Sequence, residues 1–260
     1  AVCLSFSLLS RETAVTFALI IPLVIFFYIN AQKKYSISVT VVSMLVISVF
    51  LIIRYKVLSD YGADHLSHIP FIDNPLAKQD LPYASRIATA LLICGMYIRL
   101  LIVPYPLICE SSLPPLTLSG FSDPIVLISL SVYLLLFIFC VRELSKNRKD
   151  PYAVGVAFFL ITLSLVSNIL FLIGAGMAER FVFFPSVGFC LVVALFAEKI
   201  SGSAIPAKPG LRLPKKMLAI LVPVSLVYAA LTVARNKDWK DNLTLYVTDA
   251  QQAPENSKLN

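Results

Sequence analysis

Hydrophobic side chains fill long runs of this chain, and charged side chains are confined mainly to the connections between the runs. Asp, Glu, Lys and Arg are absent from six of these runs: 13–32, 35–53, 124–141, 151–178, 181–197 and 217–234. A seventh run, 87–104, contains only Arg99, whose long side chain can reach an interface from near one end of a span. Each run is long enough to cross about 30 Å of hydrocarbon as an α-helix.

The runs are continuous and do not alternate with a period of two, which favours helices over a transmembrane barrel. Residues 1–9 are apolar too, but they are too few to span a bilayer. We interpret them as the end of a truncated helix, and the chain as a fragment of a longer protein. The pattern therefore predicts an all-α fold, a polytopic transmembrane helical bundle with seven complete spans plus one truncated.

The composition excludes an ordinary soluble domain. The 260 residues are 58% hydrophobic and 14% charged, whereas soluble domains carry roughly a quarter of charged residues. The net charge of +7 raises the question of nucleic acid, but basic cytoplasmic loops of a membrane protein explain such an excess without it. We therefore expect the lipid bilayer as a partner and no nucleic acid.

The cysteines and histidines give little indication of a metal site. Cys3, Cys94, Cys109, Cys140 and Cys190 are scattered without a CxxC spacing, and we interpret them as packing residues. His65 and His68 lie three residues apart, but no carboxylate cluster accompanies them, so zinc is a weak alternative. The prediction is that the chain holds no metal and no certain cofactor.

Basic residues distinguish the two sides of the membrane. Alternating the connections puts most of the basic residues on one side, in Arg11 and in the loops 54–86, 142–149 and 199–216. That side should be cytoplasmic, and the opposite connections should be extracytoplasmic: 105–123, 174–181 and the tail after Arg235. The loop 54–86 is long enough to hold a re-entrant segment, which would invert everything upstream of it.

Glu179 and Arg180 form the most informative candidate site, because they lie side by side between two apolar runs. Ionisable residues at this depth are costly unless a partner or ligand matches them, and an arginine fork suits phosphate oxygens. An equally simple interpretation is that the two charges only flank helix ends at the interface.

Two further motifs read mainly as structural signals. Ser10 is positioned to cap the helix that follows, with Glu12 in its first turn beside Arg11. Asp73 and Asn74 precede a proline, a pattern that favours a turn.

Three stretches together resemble a known family. They are Ser-Arg-Glu-Thr-Ala at 10–14, Ile-Asp-Asn-Pro-Leu at 72–76, and Ala-Glu-Arg-Phe-Val-Phe-Phe-Pro-Ser-Val-Gly-Phe-Cys at 178–190. In this order they resemble the transmembrane and tetratricopeptide-repeat-containing proteins, polytopic O-mannosyltransferase-like enzymes of the GT-C superfamily. The similarity covers essentially the whole chain, although the family usually has Lys at position 11 and a Tyr-Leu or Tyr-Val pair at 183–184.

The resemblance implies transfer of a sugar, typically mannose, from a polyprenyl-phosphate donor to protein hydroxyls on the extracytoplasmic side. It implies a membrane glycosyltransferase region over 1–234 and the start of a tetratricopeptide-repeat region over 235–260. Arg180 and Glu179 would bind the donor, while Arg11, Glu12, Asp73 and Asn74 have no assigned role. The catalytic acid of such enzymes would lie before Ala1, so no residue of this chain is expected to be catalytic.

Alternatives remain at the level of sequence. A bundle with interior charges and proline-interrupted spans also suits a transporter or lipid flippase, and an inactive membrane anchor for a repeat scaffold is a third interpretation. The membrane is either a bacterial inner membrane or the endoplasmic reticulum. After Arg235 the chain becomes polar, and Leu243, Tyr246, Val247 and Ala250 predict one face of a helix outside the membrane.

Overall fold

The computed structural model describes residues 2–26, 33–60, 69–70, 73–78, 80–111, 118–146, 150–202 and 214–254. The α-helices in these ranges are α1 Val2–Ser10, α2 Phe17–Val24, α3 Lys33–Asp60, α4 Tyr83–Ile102, α5 Pro124–Lys146, α6 Pro151–Ser164, α7 Phe183–Ser201, α8 Lys215–Asn236 and α9 Asn242–Gln252. Short 3₁₀ turns cover Glu12–Thr16, Pro75–Ala77, Glu179–Val182 and Asp238–Lys240, and two-residue strands cover β1 Glu110–Ser111 and β2 Met177–Ala178.

The predicted all-α membrane bundle is confirmed, whereas seven full-length spans are not confirmed by the described residues. Within the described ranges, five helices are long and apolar enough to cross a membrane: Lys34–Val57, Tyr83–Ile102, Pro124–Lys146, Glu179–Ser201 and Lys215–Asn236. The run 13–32 contains only a short apolar helix in its described part, Glu12–Val24. The run 151–178 is not one helix either, because α6 ends at Ser164.

The early end of α6 has a local polar cause that hydropathy does not reveal. The hydroxyls of Ser164 and Ser167 donate to backbone carbonyls three residues earlier, at 2.8 and 2.9 Å. Asn168 then takes a left-handed conformation with φ 58°, which an α-helix cannot contain. The chain consequently crosses from α6 to β2 as an irregular segment, which is buried at 166–168 and 175–176 and exposed at Leu170 and Phe171.

Apolar side chains cover the outer faces of the long helices as well as the faces that contact other helices. Leu45 and Ile52 of α3, Leu135 of α5 and Leu226 of α8 are all exposed in the isolated chain. Apolar surface on this scale requires a nonaqueous surrounding. The chain is therefore an integral membrane protein.

Helices α6 and α7 approach each other closely at a pair of glycines. A Cβ atom at Gly188 would lie 2.5 Å from the carbonyl oxygen of Gly155 and 2.7 Å from the backbone nitrogen of Phe159. Two glycines on facing helices thus let the backbones meet, which is how helices pack tightly in lipid.

Helix α4 contacts both α5 and α8. Its first half packs against the start of α5, where Ala88 and Leu92 contact Val126. Its last turn reaches α8, where the Tyr228 hydroxyl donates to the Leu101 carbonyl at 2.6 Å. Tyr97, in between, belongs to the main buried cluster together with Met177 and other residues of the β2 region.

The prediction that Arg11 and the 73–78 segment lie at the opposite end of the bundle from Arg180 is wrong. Arg11 and Arg180 line one cleft, and the Gly176 N–H donates to the Asp73 carbonyl at 3.1 Å. Arg11 and the 73–78 segment therefore lie at the same end of the bundle as Arg180, not at the opposite end. The described part of the 54–86 loop packs into the bundle at that end through Asn74 and Leu76.

Three of the five cysteines are packing residues as predicted, since Cys94, Cys109 and Cys140 are buried. For Cys3 and Cys190 that interpretation is wrong, because both are exposed on the outside of helices. His65 and His68 lie outside the described residues.

Helix α9 is confirmed as a helix after the last membrane helix. Its N-terminus is capped by Asp241, which accepts the Thr244 N–H at 2.7 Å, and this hydrogen bond holds the pKa of the exposed Asp241 carboxyl below its ordinary 3.8. Leu245 and Asp249 face the bundle, whereas Leu243, Tyr246 and Val247 are exposed.

Candidate functional site

Glu179 and Arg180 lie in a tight connection between a strand and a membrane helix. Met177 and Ala178 of β2 pair antiparallel with Ser111 and Glu110 of β1. The 3₁₀ turn Glu179–Val182 follows at once, and α7 begins at Phe183. Both residues are therefore fixed between the loop after α4 and the beginning of α7.

The Asp73-Asn74 motif forms hydrogen bonds with the segment that precedes this connection. Asn74 is fully buried, and its amide nitrogen donates to the side-chain oxygen of Asn168 at 2.9 Å and to the Ile173 carbonyl at 2.8 Å. The Asn168 amide nitrogen in turn donates to the Gly176 carbonyl at 3.0 Å. Asn74 thus supplies hydrogen bonds to polar groups of the irregular segment that leads to Glu179. Its role is structural, and it does not line an open pocket.

Asn74 also forms the predicted turn. Its side-chain oxygen accepts the Leu76 N–H at 3.0 Å and caps the 3₁₀ turn Pro75–Ala77. The turn was predictable from Asn-Pro, but the pairing with Asn168 was not, because 94 residues separate the two amides.

Glu179 contacts Arg235, a residue that the sequence did not single out for the site. The Glu179 carboxylate lies 3.9 Å from Nη2 of Arg235. Nη1 of the same guanidinium lies 2.8 Å from Asp249 and 3.0 Å from Asp238. The Cys109 N–H donates to the other Asp249 oxygen at 2.7 Å. We call these residues, Glu179, Arg235, Asp238, Asp249 and the Cys109 N–H, the Arg235 clasp.

The clasp ties α8, α9 and the loop before β1 to the Glu179 turn. Arg235 and Asp249 are buried, so their charges are matched inside the protein rather than by water. A weak signal was available in the sequence, since Arg235 is the first charge after the last apolar run. Its partner Asp249 gave no signal of its own.

Arg180 is exposed between two clefts, and its guanidinium carbon lies 5.3 Å from the centre of the Phe181 ring. One cleft, of about 370 Å³, is called the Trp239 cleft. It is lined by Leu100, Leu101, Leu107, Cys109, Glu179, Arg180, Val182, Phe183, Ser186 and Trp239. Its walls are mostly apolar, and its few polar groups converge around Glu179 and Arg180.

The second cleft, of about 40 Å³, brings Arg11 to Arg180 and is called the Arg11 cleft. It is lined by Arg11, Thr13, Thr16, Thr162, Val166, Arg180, Phe181 and Phe184. The Thr13 hydroxyl is buried and meets no hydrogen-bond partner among the described residues. Two guanidinium groups and a hydroxyl at an apolar surface are suited to bind an oxyanion attached to an apolar group.

Glu12 and Ser10 do not take part in these clefts. Glu12 pairs with Arg54 at 2.6 Å and so joins the 3₁₀ turn before α2 to the end of α3. The predicted cap by Ser10 is wrong, because Ser10 is the last residue of α1 and Arg11 occupies the cap position without a side-chain hydrogen bond. The helix α1 extends one residue further than the capping pattern suggests.

A further cavity, of about 800 Å³, lies between α2, the end of α5 and Ile161 of α6, and Arg180 is not part of its lining. It is lined by Leu19, Pro22, Leu23, Phe26, Val141, Leu144, Ser145 and Ile161. Because its lining includes no charged residue, the candidate chemistry stays with the two clefts around Arg180.

Comparisons with known proteins agree with the resemblance in the motifs. No family model matches the chain, and no solved structure matches it significantly. It is 28% identical over 222 residues to protein O-mannosyl-transferase TMTC3 of Mus musculus, covering 84% of this chain and 23% of that protein. It is 26% identical to protein O-mannosyl-transferase F38B6.6 of Caenorhabditis elegans over 72% of this chain and 25% of that protein.

A shorter match is 33% identical to protein O-mannosyl-transferase Tmtc2 of Drosophila melanogaster, over 35% of this chain. The chain spans about a quarter of the length of the first two relatives, 23% and 25%. These homologues confirm that the chain resembles the transmembrane and tetratricopeptide-repeat-containing family of protein O-mannosyl-transferases.

Proposed function

We propose that this chain is the membrane region of a glycosyltransferase that binds a polyprenyl-phosphate sugar and serves its transfer to protein hydroxyls. The observation that carries the proposal is the position of Arg180, between an apolar cleft and a second arginine at one end of the membrane bundle. The relatives are named protein O-mannosyl-transferases, so mannose is the proposed sugar.

The chemistry of a lipid-linked donor matches these surroundings. Its tail belongs in the bilayer, and its phosphate belongs at the interface, where a cation must meet it. In the proposal Arg180 donates to the phosphate oxygens, and Arg11 supplies a second guanidinium from the neighbouring cleft. Glu179, held by Arg235, accepts from sugar hydroxyls. These roles are binding and orientation, and none of them is proton transfer at the acceptor.

Charge distribution supports placing this end of the bundle on the extracytoplasmic side. From α5 onward, basic residues concentrate in the connections at the opposite end, including Arg142, Lys146, Lys199, Lys215 and Lys216. Positive connections mark the cytoplasmic side, so the Arg180 end and the tail after Arg235 face the lumen in the proposal. The relatives reported above are animal proteins, which favours the endoplasmic reticulum over a bacterial inner membrane.

Residues 235–260 are proposed to begin a repeat region that presents the protein acceptor. The exposed apolar side chains of α9, at Leu243, Tyr246 and Val247, are suited to packing against a further helix of such an array. A GT-C-like arrangement of the spans is part of the same proposal, and it rests on the resemblance in the three motifs.

Binding of the labelled donor tests the proposal. The chain in detergent micelles should retain polyprenyl-phosphate mannose, and Arg180→Ala should weaken binding about 10- to 100-fold, as expected for loss of charge-assisted hydrogen bonds. Arg142→Ala is the matched control, because Arg142 is exposed at the other end of the bundle. Equal binding by Arg180→Ala and the parent chain would contradict the donor site.

A second measurement separates the transferase from its rivals. Vesicles containing the chain should not move polyprenyl phosphate between leaflets faster than empty vesicles. Rapid, Arg180-independent movement would favour a flippase, and absence of donor binding would favour a membrane anchor.

A further inference from the structure

Trp239 is an exposed aromatic residue beside the charged groups of the candidate site. It lies in the 3₁₀ turn Asp238–Lys240 directly after α8, and it is 53% exposed. It lines the same cleft as Glu179, Arg180 and Ser186. Neither the binding of phosphate nor the support of the Glu179 turn explains why a Trp should occupy this position.

The Arg235 clasp holds the backbone next to Trp239. Asp238, the preceding residue, is 3.0 Å from Nη1 of Arg235, and Arg235 also contacts Asp249 and Glu179. The same buried guanidinium therefore binds the turn that carries Trp239 and lies next to the carboxylate of Glu179. The cleft therefore presents an aromatic ring and a carboxylate together, as a binding site for a small ring requires.

Glu179 has capacity for a ligand. Its Oε1 is buried, and it accepts no hydrogen bond within the part of the chain that the structure describes. The nearest cation atom recorded, Nη2 of Arg235, is 3.9 Å away, which is too long for a hydrogen bond. The Glu179 side chain lines the cleft and is 20% exposed, so its carboxylate is open to a hydroxyl donor from the cleft.

We infer that Trp239 is the platform on which the sugar ring of the lipid-linked donor stacks. A pyranose has a face of C–H groups, which packs on an aromatic ring, and a rim of hydroxyls, which donate to a carboxylate such as Glu179. Because Arg180 binds the phosphate, the cleft binds the sugar and the phosphate of the donor at the same time. The inference rests on the proposed function and adds the residue that distinguishes a glycosylated lipid from a bare one.

Tryptophan is also common at membrane interfaces as an anchor, and this interpretation makes a different prediction. An anchoring ring responds to any lipid that occupies the cleft or changes the interface. A stacking ring responds to the sugar. The comparison of two lipids that differ only in the sugar therefore decides between them.

Intrinsic fluorescence gives this comparison directly, because Trp239 is the only Trp of the chain. The chain in detergent micelles is titrated with polyprenyl-phosphate mannose and, separately, with polyprenyl phosphate. We expect a saturable change in emission with the mannosylated lipid and little change with the sugar-free lipid. Equal changes with both lipids would overturn the inference in favour of an interfacial anchor.

Affinity measurements with labelled lipids complete the test. Trp239→Leu should lower the ratio of affinities for mannosylated over sugar-free lipid about tenfold, and Trp239→Phe should restore most of it, because an aromatic pair contributes on this scale. An unchanged ratio in Trp239→Leu, with binding still dependent on Arg180, would refute the stacking role and leave the proposed function intact. If Arg180→Ala bound the mannosylated lipid as tightly as the parent chain does, the proposed function itself would be refuted.

Discussion

Asp249 joins α9 to the membrane bundle, and Asp249→Asn tests how strongly it does so. The Asp249 side chain is completely buried. One oxygen lies 2.8 Å from Nη1 of Arg235, and the other accepts the Cys109 N–H at 2.7 Å. Asn keeps the size and one acceptor oxygen but removes the charge, so the change isolates the ionic part of the clasp.

Removing one partner of a buried ion pair costs about 3–5 kcal/mol, because the remaining charge is left uncompensated. Arg235 keeps Asp238 at 3.0 Å, so we expect a value near the lower limit, about 3 kcal/mol. Since about 1.4 kcal/mol corresponds to a factor of ten, the open population of this region should rise about 100-fold.

Labelling of Cys109 measures that population. The thiol is buried in the native chain, whereas Cys3 and Cys190 are exposed and are first replaced by Ser. Opening of the contact between α9 and the loop before β1 uncovers Cys109, so its reaction rate with a water-soluble maleimide follows the open population. We expect about 100-fold faster labelling in Asp249→Asn.

Asp238→Asn is the matched control, because Asp238 contacts the same guanidinium but keeps 23% of its side chain exposed. Its effect should be clearly smaller. Labelling of Asp249→Asn at the parental rate would refute the clasp as the connection between α9 and the bundle. The double change Arg235→Met with Asp249→Leu should recover much of the loss, because an apolar pair leaves no buried charge.

Two further predictions concern the packing that supports the site. Gly188→Ala should destabilise the chain by about 1–3 kcal/mol in thermal or denaturant unfolding, because the new Cβ meets the backbone of Gly155. Gly174→Ala is the control and should be neutral, because no atom lies within 4 Å of its new Cβ. Equal stability of the two variants would show that α6 and α7 do not pack this closely. Asn74→Ala should lower the free energy of unfolding by about 1–3 kcal/mol, because the Asn168 side chain and the Ile173 carbonyl lose their hydrogen-bond partner. Donor binding should fall as an indirect result. An unchanged free energy of unfolding would show that the two amides are not coupled.

The sequence determined the class of fold through composition and run length alone. Apolar runs of about 20 residues without charges have few stable arrangements other than membrane helices, because each backbone polar group must be satisfied within the segment. The run 151–178 shows the limit of that argument. Ser167 and Asn168, just after the end of α6, bond to the backbone, and a search for charge-free runs does not detect them because both are uncharged.

The candidate site was predicted in part. Glu179 and Arg180 stood out because adjacent charges between apolar runs are rare, and Asn74 stood out because Asn-Pro forms turns. Their roles in the structure differ from the sequence expectation, since Glu179 contacts Arg235 and Arg180 shares a cleft with Arg11. Alternation of loop charges placed Arg11 and Arg180 at opposite ends, because it assumed that each apolar run crosses the membrane once, whereas the two residues line one cleft.

The sequence by itself therefore determined that this chain is a helical membrane protein with a charged site at the end of a span, and its motifs indicated the family. Tertiary structure decided which charges meet. Arg235 and Asp249, like Asn74 and Asn168, are far apart along the chain, and local patterns carry no information about such pairs. Their partners are selected by burial, because a charge or amide removed from solvent must find a complementary group wherever the fold brings one.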